Sequence, residues 1–441
     1  MVKSKINDIF DAIMKKLISA ILLVILLSAF LTPKATHNDL QSKRLVYEDA
    51  TYEAEIRTVQ LYPFTGNSNA VLLPAVTQLN GGALMLEFDD LVQEPENYRV
   101  KIIHCNADWT PSRLRSLDYL YDYNEFNIDN NQLSVDTKLS YVHYTFKLPN
   151  VKIPGNYLLV AYRGTDESDI ILSKRFMIFD NRVAINLMSN LTGLTSTRRM
   201  NQQLDFSINY NDLPVLNPME NIKVVIRQNQ RWDNMISNLK PSFVRENLQE
   251  LEYRYFNFEN NFAAGNEFRF FDMRSLRYAG QNVQRIDINK RPTLVDLMYD
   301  RPRVYEPYTQ YDDINGEFYI ANADTGYGNT QSDYATVKFH LKSENVQGEV
   351  YVIGEMNNWK KSNRMTYNSN IGVYETEMIL KQGYYDYQYY VEGDTLRSNH
   401  FEGDHFQTEN EYEIFVYYQA PNSRSELLVG YGYYEMNTAL R

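Results

Sequence analysis

Short segments with alternating apolar and polar side chains recur along most of this chain, and this period of two restricts its fold more than any other feature. Between Tyr141 and Leu148, the residues Val142, Tyr144 and Phe146 share one face of an extended chain. Such alternation is typical of a half-buried antiparallel strand. Helical periods are scarce beyond the N-terminal region. The sequence therefore predicts an all-β protein made of tandem immunoglobulin-like β-sandwich domains.

Turn residues and changes in composition divide the chain into blocks. Its 441 residues are enough for about two to four domains, each with its own core. We predict an N-terminal β-sandwich at 54–182, a middle β domain at 183–300, a linker at 301–331, a C-terminal early-set β-sandwich at 332–419 and an aromatic tail at 420–441. We also expect a short strand at Glu317–Ile320, and we expect Ile414–Tyr418 to close the C-terminal sandwich.

The first 35 residues have the features of a secretory signal peptide. Basic residues such as Lys3 and Lys16 precede an uncharged apolar run from Leu17 to Leu31, which is shorter than the roughly 20 residues that span a bilayer. We predict a signal peptide at 1–35 with cleavage after Ala35. An uncleaved membrane anchor is the alternative. No second long apolar run follows, so we expect an exported protein without a transmembrane helix.

The composition excludes several classes of function. A formal net charge of −12 argues against nucleic acid as a partner, because phosphate binding needs a basic face. A single cysteine allows no internal disulfide and no zinc site with two thiolates. The 36 tyrosines suit strands and surfaces that are half buried or that contact a partner. Tyrosine-rich strands also occur in outer-membrane barrels, but many outward faces here carry Lys, Asp and Glu.

The chain contains none of the common motifs of nucleophilic, phosphate-binding or zinc-hydrolase chemistry. The loop from His400 to His405 offers four potential metal ligands: His400, Glu402, Asp404 and His405. A polar hairpin connection is the simpler interpretation of this loop, and a hydrolase that uses it is the alternative. We therefore expect no enzymatic activity, no metal and no cofactor.

Two further groups of residues resemble catalytic pairs. His104 and Cys105 are adjacent on a predicted strand, so they point to opposite faces and cannot readily share a ligand. We expect a buried thiol at Cys105 and a turn capped by Asp108. The acidic pair Asp89-Asp90 follows an apolar strand, and we expect it to be a solvated strand end.

The stretch from Val350 to Gly393 resembles an early-set, glycogen-binding type of carbohydrate-binding module. The matching elements are Gly354-x-x-Asn357-Asn358-Trp359, Gly372-Val373-Tyr374-Glu375 and Gly383-Tyr384-x-x-Tyr387. The resemblance implies that Trp359 would be the stacking platform if a sugar bound. Gln388 replaces the lysine of sugar-binding members, and Thr395 and Leu396 stand where they have a second tryptophan. We expect Trp359 to be structural, with an envelope carbohydrate-binding protein as the alternative function.

Motifs dispersed in order over about residues 54–435 resemble the plug protein of the type IX secretion system of Bacteroidetes. They include Leu86-x-Phe88-Asp89-Asp90-Leu91, His104-Cys105-x-Ala107-Asp108-Trp109, Gln228-Asn229-x-Arg231-Trp232-Asp233, Gly265-Asn266-Glu267-Phe268-Arg269 and Leu428-Val429-Gly430-Tyr431. The resemblance implies a periplasmic, non-enzymatic protein. Such a protein would dock on the large outer-membrane translocon β-barrel and its associated subunits, and would close the barrel when nothing is being exported.

The resemblance does not indicate which residues contact the partner. Tyrosines without a predicted strand to explain them are our candidates for the contact surface. They lie in the Pro-containing linker and in the tail: Tyr305, Tyr308, Tyr311, Tyr431, Tyr433 and Tyr434. The tail could instead pack back on its own domain.

Overall fold

A computed structural model describes residues 43–188, 199–257, 259–326 and 328–438. The predicted signal peptide therefore lies outside the described residues. Residues Arg44–Arg441 form one compact unit. Its described part is almost entirely sheet, with short α-helices at Ser116–Tyr119, Pro218–Asn221 and Gly328–Gln331 and 3-10 turns at Ser68–Leu72, Glu246–Leu248 and Glu355–Asn357. No helix within the described ranges is long and apolar enough to cross a bilayer. The predicted all-β class is confirmed.

The first sandwich consists of two sheets packed face to face. Its strands are β1 (Ala50–Thr51), β2 (Ile56–Pro63), β3 (Val76–Gln78), β4 (Leu84–Asp90), β5 (Tyr98–Cys105), β6 (Phe126–Asn127), β7 (Asn130–Leu133), β8 (Val142–Lys147), β9 (Gly155–Arg163) and β10 (Ile170–Phe179). One sheet has the order β1-β10-β9-β5-β6, with β3 beside β10, and the other has the order β2-β4-β8-β7. Alternate side chains form the core between them, where Phe88 stacks on Tyr144 with centroids 4.9 Å apart.

The middle of the chain forms shorter strands. They are β11 (Ala184–Leu187), β12 (Asn201–Gln203), β13 (Phe206–Asn209), β14 (Ile222–Gln228), β15 (Phe243–Arg245), β16 (Glu250–Tyr253) and β17 (Asn261–Ala263). Four of them form the sheet β11-β13-β16-β15, and β12 pairs with β17. Strand β14 joins neither sheet, and its partners come from the C-terminal end of the chain.

The next sandwich begins earlier than the sequence blocks suggest. Its strands are β18 (Arg269–Asp272), β19 (Val283–Asp287), β20 (Thr293–Asp300), β21 (Phe318–Ile320), β22 (Tyr334–Lys342), β23 (Glu349–Ile353), β24 (Thr366–Asn368), β25 (Val373–Lys381) and β26 (Gly383–Glu392). One sheet is β19-β20-β22-β25-β24, and the other centres on β26 with β18, β21 and β23. Tyr385, Tyr387 and Tyr389 lie in the core between the sheets, as their alternation predicts. The short strand expected near Glu317–Ile320 is present as β21.

The last two strands are β27 (Asn410–Tyr418) and β28 (Leu427–Met436), and they complete the middle block. They form the three-stranded sheet β14-β27-β28, in which Ile414 pairs with Ile226. The expectation that Ile414–Tyr418 closes the C-terminal sandwich is therefore wrong. From Ile414 to Tyr418 both faces of β27 are apolar, and such a pattern predicts a buried strand without indicating which sheet the strand joins.

The sheet β14-β27-β28 also packs against the first sandwich. Leu158 and Met177, on the outer face of β9 and β10, share a second core with Phe415 and Leu428. The Tyr417 hydroxyl donates a hydrogen bond of 2.9 Å to Asn156 Oδ1 across this interface. The larger sheet of the first sandwich is thus buried on both faces, which joins the first and middle blocks through a continuous apolar layer.

We predict that Leu428→Ala lowers the free energy of unfolding by about 2–5 kcal/mol, because it leaves a cavity in the layer between the first and middle blocks. Leu428 is 0% exposed, whereas Leu216 is 82% exposed and provides the matched control. Urea unfolding followed by tryptophan fluorescence measures both variants. An equally small effect of the two substitutions would show that β28 contributes little to the core.

Candidate functional site

Buried charges lie where the blocks of the chain meet, and the first of these groups is centred on Asp89. The expectation of a solvated strand end at Asp89-Asp90 is wrong, since the two residues are 0% and 1% exposed. Asp89 Oδ2 accepts hydrogen bonds from Lys381 Nζ at 2.6 Å and from the Tyr334 hydroxyl at 2.7 Å. His143 Nδ1 lies 2.8 Å from Asp89 Oδ1. We call these four residues the Asp89 cluster.

The Asp89 cluster joins the first sandwich to the C-terminal one. Asp89 and His143 belong to β4 and β8, whereas Tyr334 and Lys381 belong to β22 and β25. Burial by itself would raise the pKa of Asp89, but the Lys381 ammonium and the bond to His143 outweigh it, so the pKa lies below its ordinary value. The Tyr141 ring adds a cation–π contact, 4.2 Å from Lys381 Nζ.

A second group of charges, the Lys174 cluster, joins the same two sandwiches at another point. Lys174, in β10, is buried, and its Nζ lies 3.0 Å from Glu355 Oε1 and 3.3 Å from Asp49 Oδ2. The ammonium also donates to Asn358 Oδ1 at 3.2 Å. Burial lowers the pKa of Lys174, but the attraction of Asp49 and Glu355 raises it well above its ordinary value. Lys174, which interrupts the apolar run Ile170–Phe179, thus forms hydrogen bonds with the turn that follows β23.

The third group is centred on Glu402, one of the four metal candidates in the loop from His400 to His405. Glu402 is buried and accepts bonds from Arg269 Nε at 3.0 Å and from Arg303 Nη2 at 2.7 Å. Arg269 Nη1 also donates to Asp300 Oδ1 at 2.9 Å. Burial raises the pKa of Glu402, but the two arginines overcome this effect and hold it at about 2. We call Glu402, Arg269, Arg303 and Asp300 the Glu402 cluster.

The other residues of the loop do not converge with Glu402 on one point. Asp404 Oδ1 accepts from Asn399 Nδ2 at 2.6 Å, and the His400 ring packs on Phe401 with centroids 5.0 Å apart. His405 packs beside Tyr308, with ring centroids 5.6 Å apart. Among the described residues, no group of three or more His, Cys, Asp or Glu side chains is arranged to hold a metal ion.

The candidate contact tyrosines differ widely in exposure. Tyr305 is 95% exposed. Tyr308 and Tyr311 bond within the chain instead: the Tyr308 hydroxyl donates to the backbone oxygen of Gln407 at 3.0 Å, and the Tyr311 hydroxyl donates to that of Phe268 at 2.7 Å. These bonds attach the segment 301–317 to the rest of the molecule.

The tyrosines of the tail form part of strand β28 and pack on their own block. The Tyr431 hydroxyl donates to Glu413 Oε1 at 2.9 Å, and Glu413 is also bonded by Arg227 Nη2 at 2.9 Å. The Tyr433 hydroxyl bonds to Glu411, and that of Tyr434 donates to the backbone oxygen of Ile185 at 3.3 Å. Of the six candidates, Tyr305 is therefore the one that presents most of its ring to solvent.

Trp359 is packed inside its own loop rather than presented as a platform. Its side chain is only 7% exposed, and the Arg231 guanidinium lies 4.3 Å from the ring centroid. Phe268 packs edge-on against it at 5.7 Å. Gly316 lies so close to the indole that a Cβ at this position would be 2.2 Å from it. The backbone φ of Gly316 is +86°. The middle block and the linker thus cover the indole that would stack on a sugar.

The pair His104 and Cys105 lies on opposite faces of β5, as expected. The His104 ring packs in the first core, 5.0 Å from Tyr157, and Cys105 lies in the second core beside Trp109. Burial raises the pKa of the Cys105 thiol to about 12 and lowers that of His104 to about 4. Asp108 Oδ1 accepts from Thr110 N at 3.0 Å, which confirms the predicted turn.

Comparison with known proteins identifies two matching regions. Residues 56–180 match the family model of the type 9 secretion system plug protein 1st domain. Residues 337–415 match the model of the glycogen recognition site of AMP-activated protein kinase. Both parts of the sequence resemblance are confirmed. The plug-domain match supports a role connected with type IX secretion in the cell envelope, and both matched families are of non-catalytic types.

One solved structure is similar along almost the whole chain. It is the crystal structure of a hypothetical protein from Parabacteroides merdae, which is 29% identical, with a TM-score of 0.83 over 89% of this chain and 100% of that one. The alpha-2-macroglobulin of Escherichia coli aligns at 11% identity with a TM-score of 0.17, covering 89% of this chain and 23% of that one. The search of curated proteins found no match.

We predict that Glu402→Gln removes part of the acid sensitivity of the protein. The folded pKa of Glu402, about 2, lies below its ordinary value of 4.5, so the ionised group stabilises the fold above pH 4.5. This contribution, about 3 kcal/mol, is lost as the pH falls towards 2. Urea unfolding between pH 6 and pH 2.5 should show a shallower loss of stability for the variant.

The exposed Glu344→Gln variant is the control for the same charge change. It should keep the pH dependence of the unmodified protein. An unchanged slope for Glu402→Gln would mean that Arg269 and Arg303 do not hold its carboxylate in the ionised form.

We predict that Trp359→Ala destabilises the fold by about 3–5 kcal/mol, because it removes a buried aromatic ring from the contact between Phe268 and Arg231. Thermal unfolding measures this loss.

Affinity electrophoresis of the unmodified protein in gels with glycogen should show no retardation. Retardation that Trp359→Ala abolishes while the protein stays folded would instead support the carbohydrate-binding alternative.

Proposed function

We propose that the protein is a non-enzymatic periplasmic plug that docks on the type IX outer-membrane translocon barrel and closes its periplasmic end between export events. The observation that carries this proposal is the plug-domain match over residues 56–180. A barrel wide enough to export proteins would leak small solutes unless something closed it. A plug for such an opening needs a broad surface that stays in one shape when the partner is absent.

The way the blocks are joined supports this role. The apolar layer around Phe415 and Leu428 joins the first and middle blocks. The Asp89 and Lys174 clusters attach the first sandwich to the C-terminal one through buried ion pairs. These pairs favour one relative position of the sandwiches, because a shifted position that leaves a buried charge without its partner is costly. The blocks would then present one surface to an opening without being ordered on binding.

Tyr305 is our proposed contact residue within this surface. Its ring is 95% exposed, and the segment that carries it is attached to the core by Tyr308 and Tyr311. An exposed tyrosine on an anchored segment supplies apolar contact area at little entropic cost, and its hydroxyl tolerates partial wetting. These properties suit a complex that must form and release repeatedly.

We predict that the tagged protein, purified from detergent-solubilised envelopes of its source cells, captures a large outer-membrane barrel. Mass spectrometry of the captured proteins identifies the partner. The purified barrel in a planar lipid bilayer should lose most of its conductance when the protein is added. The absence of any large barrel among the captured proteins, or an unchanged conductance, would refute the plug function.

The contact residue is tested in the same assay with Tyr305→Ala. We expect weaker capture of the barrel by this variant at an unchanged melting temperature, since the ring has little contact with its own fold. Tyr278→Ala is the control, because Tyr278 is also largely exposed but lies in another loop. Equal capture by both variants and the unmodified protein would exclude Tyr305 from the contact surface.

A further inference from the structure

The segment 301–317, which we call the linker segment, is attached near its end through a buried carboxyl group. Asp386 lies in β26 and is 0% exposed. Its Oδ2 accepts hydrogen bonds from Ile314 N at 2.6 Å and from Gly316 N at 3.3 Å. The attachment of these two residues therefore depends on a side chain that can change its charge.

Two more carboxyl groups take part in the same contact. Glu267, which is 1% exposed, accepts a hydrogen bond from the Tyr308 hydroxyl. Asp313, in the linker segment, accepts one from the backbone N–H of Phe268. The carboxyl groups of Glu267 and Asp313 are also close enough to share a hydrogen bond, which needs a proton on one of them because carboxylates only accept. We call Glu267, Asp313 and Asp386 the Asp386 cluster.

Completely buried carboxyl oxygens without a hydrogen-bond donor occur at the linker segment and nowhere else in the described residues. They are Oε2 of Glu267, Oδ1 of Asp386 and Oε2 of Glu411. Glu411 meets the linker segment through Asn315, whose Nδ2 donates to Oε1 at 3.2 Å. An ionised carboxylate has two acceptor oxygens to satisfy, so a buried oxygen without a donor favours the protonated form of the group.

The Asp386 cluster lacks the cations that hold other buried carboxylates of this protein. Asp89 has Lys381 Nζ at 2.6 Å, and Glu402 has an arginine nitrogen at 2.7 Å. Within the described ranges, no Lys, Arg or His side chain forms an ion pair with any member of the cluster. An ionised carboxylate that is buried without a cation is costly, and such a group takes up a proton instead.

The elements packed against the Asp386 cluster add mainly acidic and phenolic groups. The titratable groups that face the cluster or its bonded tyrosines are Tyr308, Tyr311, Tyr319, Tyr384, His405 and Glu409. Arg303 bonds the backbone oxygen of Glu267, but its charge is paired with Glu402. Arg274, beside Tyr319 and Tyr384, is paired with Asp272. Proton uptake is therefore the remaining way for the cluster to reduce its charge.

The acids of the cluster accordingly hold their protons at higher pH than usual. Burial raises the pKa of Asp386 from 3.8 to about 7, and repulsion from Glu267 adds to the shift. Burial also raises the pKa of Asp313 well above its ordinary value, and the charges of the other two members raise it further. The attached state thus binds protons more tightly than a detached one. Attachment should weaken as the pH rises from 3.8 to about 7, and should change little above that.

We propose that the Asp386 cluster is a proton-dependent switch, which attaches the linker segment while the cluster is protonated and releases it when the cluster is ionised. Ionisation places neighbouring carboxylates in repulsion and draws them towards water, so the bonds from Ile314 N and Gly316 N are lost together. The switch would control how firmly the linker segment presents Tyr305, and this consequence rests on the proposed function. The switch itself is tested without the translocon, so its failure and the failure of the plug function are separate results.

Hydrogen–deuterium exchange of the purified full chain, followed by mass spectrometry at pH 5.5 and pH 8, tests the switch. Peptides covering residues 305–317 report on the linker segment, and peptides from β9 report on the fold as a whole. Rates are corrected for the intrinsic pH dependence of amide exchange. We expect the opening equilibrium of the linker segment to increase about tenfold or more at pH 8, with β9 unchanged. Equal protection of the linker segment at both pH values would overturn the proposal.

Asp386→Asn is the deciding variant, because its amide cannot ionise and its oxygen can still accept from Ile314 N and Gly316 N. We expect this variant to lose most of the pH effect and to keep the linker segment protected at pH 8. Asp394→Asn is the matched control, since Asp394 is exposed in the same sandwich, and it should keep the full effect. Should Asp386→Asn fail to fold, Glu267→Gln decides in its place. An undiminished pH effect in the deciding variant would refute the role of the cluster.

Discussion

The structure depends on one sheet that is buried on both faces. The sheet of β10, β9 and β5 contributes Tyr157 to the core of the first sandwich and Leu158, the next residue, to the layer against β27 and β28. A strand alternates its side chains between two faces, so the residues of β9 from Tyr157 to Ala161 add apolar contact to one core and the other in turn. The first and middle blocks therefore cannot separate without exposing an apolar sheet face to water.

The C-terminal sandwich is held differently, through buried charges at its contacts with the first sandwich. Lys381 reaches Asp89, and Lys174 reaches Glu355, both across block boundaries. Such pairs add little net stability, because desolvation offsets much of the attraction, but breaking one leaves an uncompensated buried charge. Apolar packing thus holds the first and middle blocks together, and the ion pairs specify the position of the C-terminal sandwich relative to the first. One preferred arrangement of the blocks suits a protein proposed to cover an opening.

Much of the fold was predictable because strand alternation is a local property. The tyrosines at Tyr385, Tyr387 and Tyr389 lie in a core, and Cys105 is buried away from His104, as their positions in the sequence indicate. The family motifs identified the first block and the C-terminal module without any coordinates. The partner of β27 was not predictable, since its apolar pattern fits any buried sheet and its pairing with β14 spans nearly the whole second half of the chain.

The sequence by itself determined the all-β class, the positions of most strands and the family resemblance, because these follow from local periodicity and from motifs. Only the tertiary structure decided the surroundings of the charged and aromatic residues. Asp89 and the weak metal candidate Glu402 look solvent-accessible in the sequence, yet both are buried by residues from distant segments. Trp359 is expected to be structural from the sequence, but its contacts with Arg231 and Phe268 are set by the tertiary structure. Burial, pairing and pKa depend on what packs against a side chain, and the chain elements that do so here are far apart in the sequence.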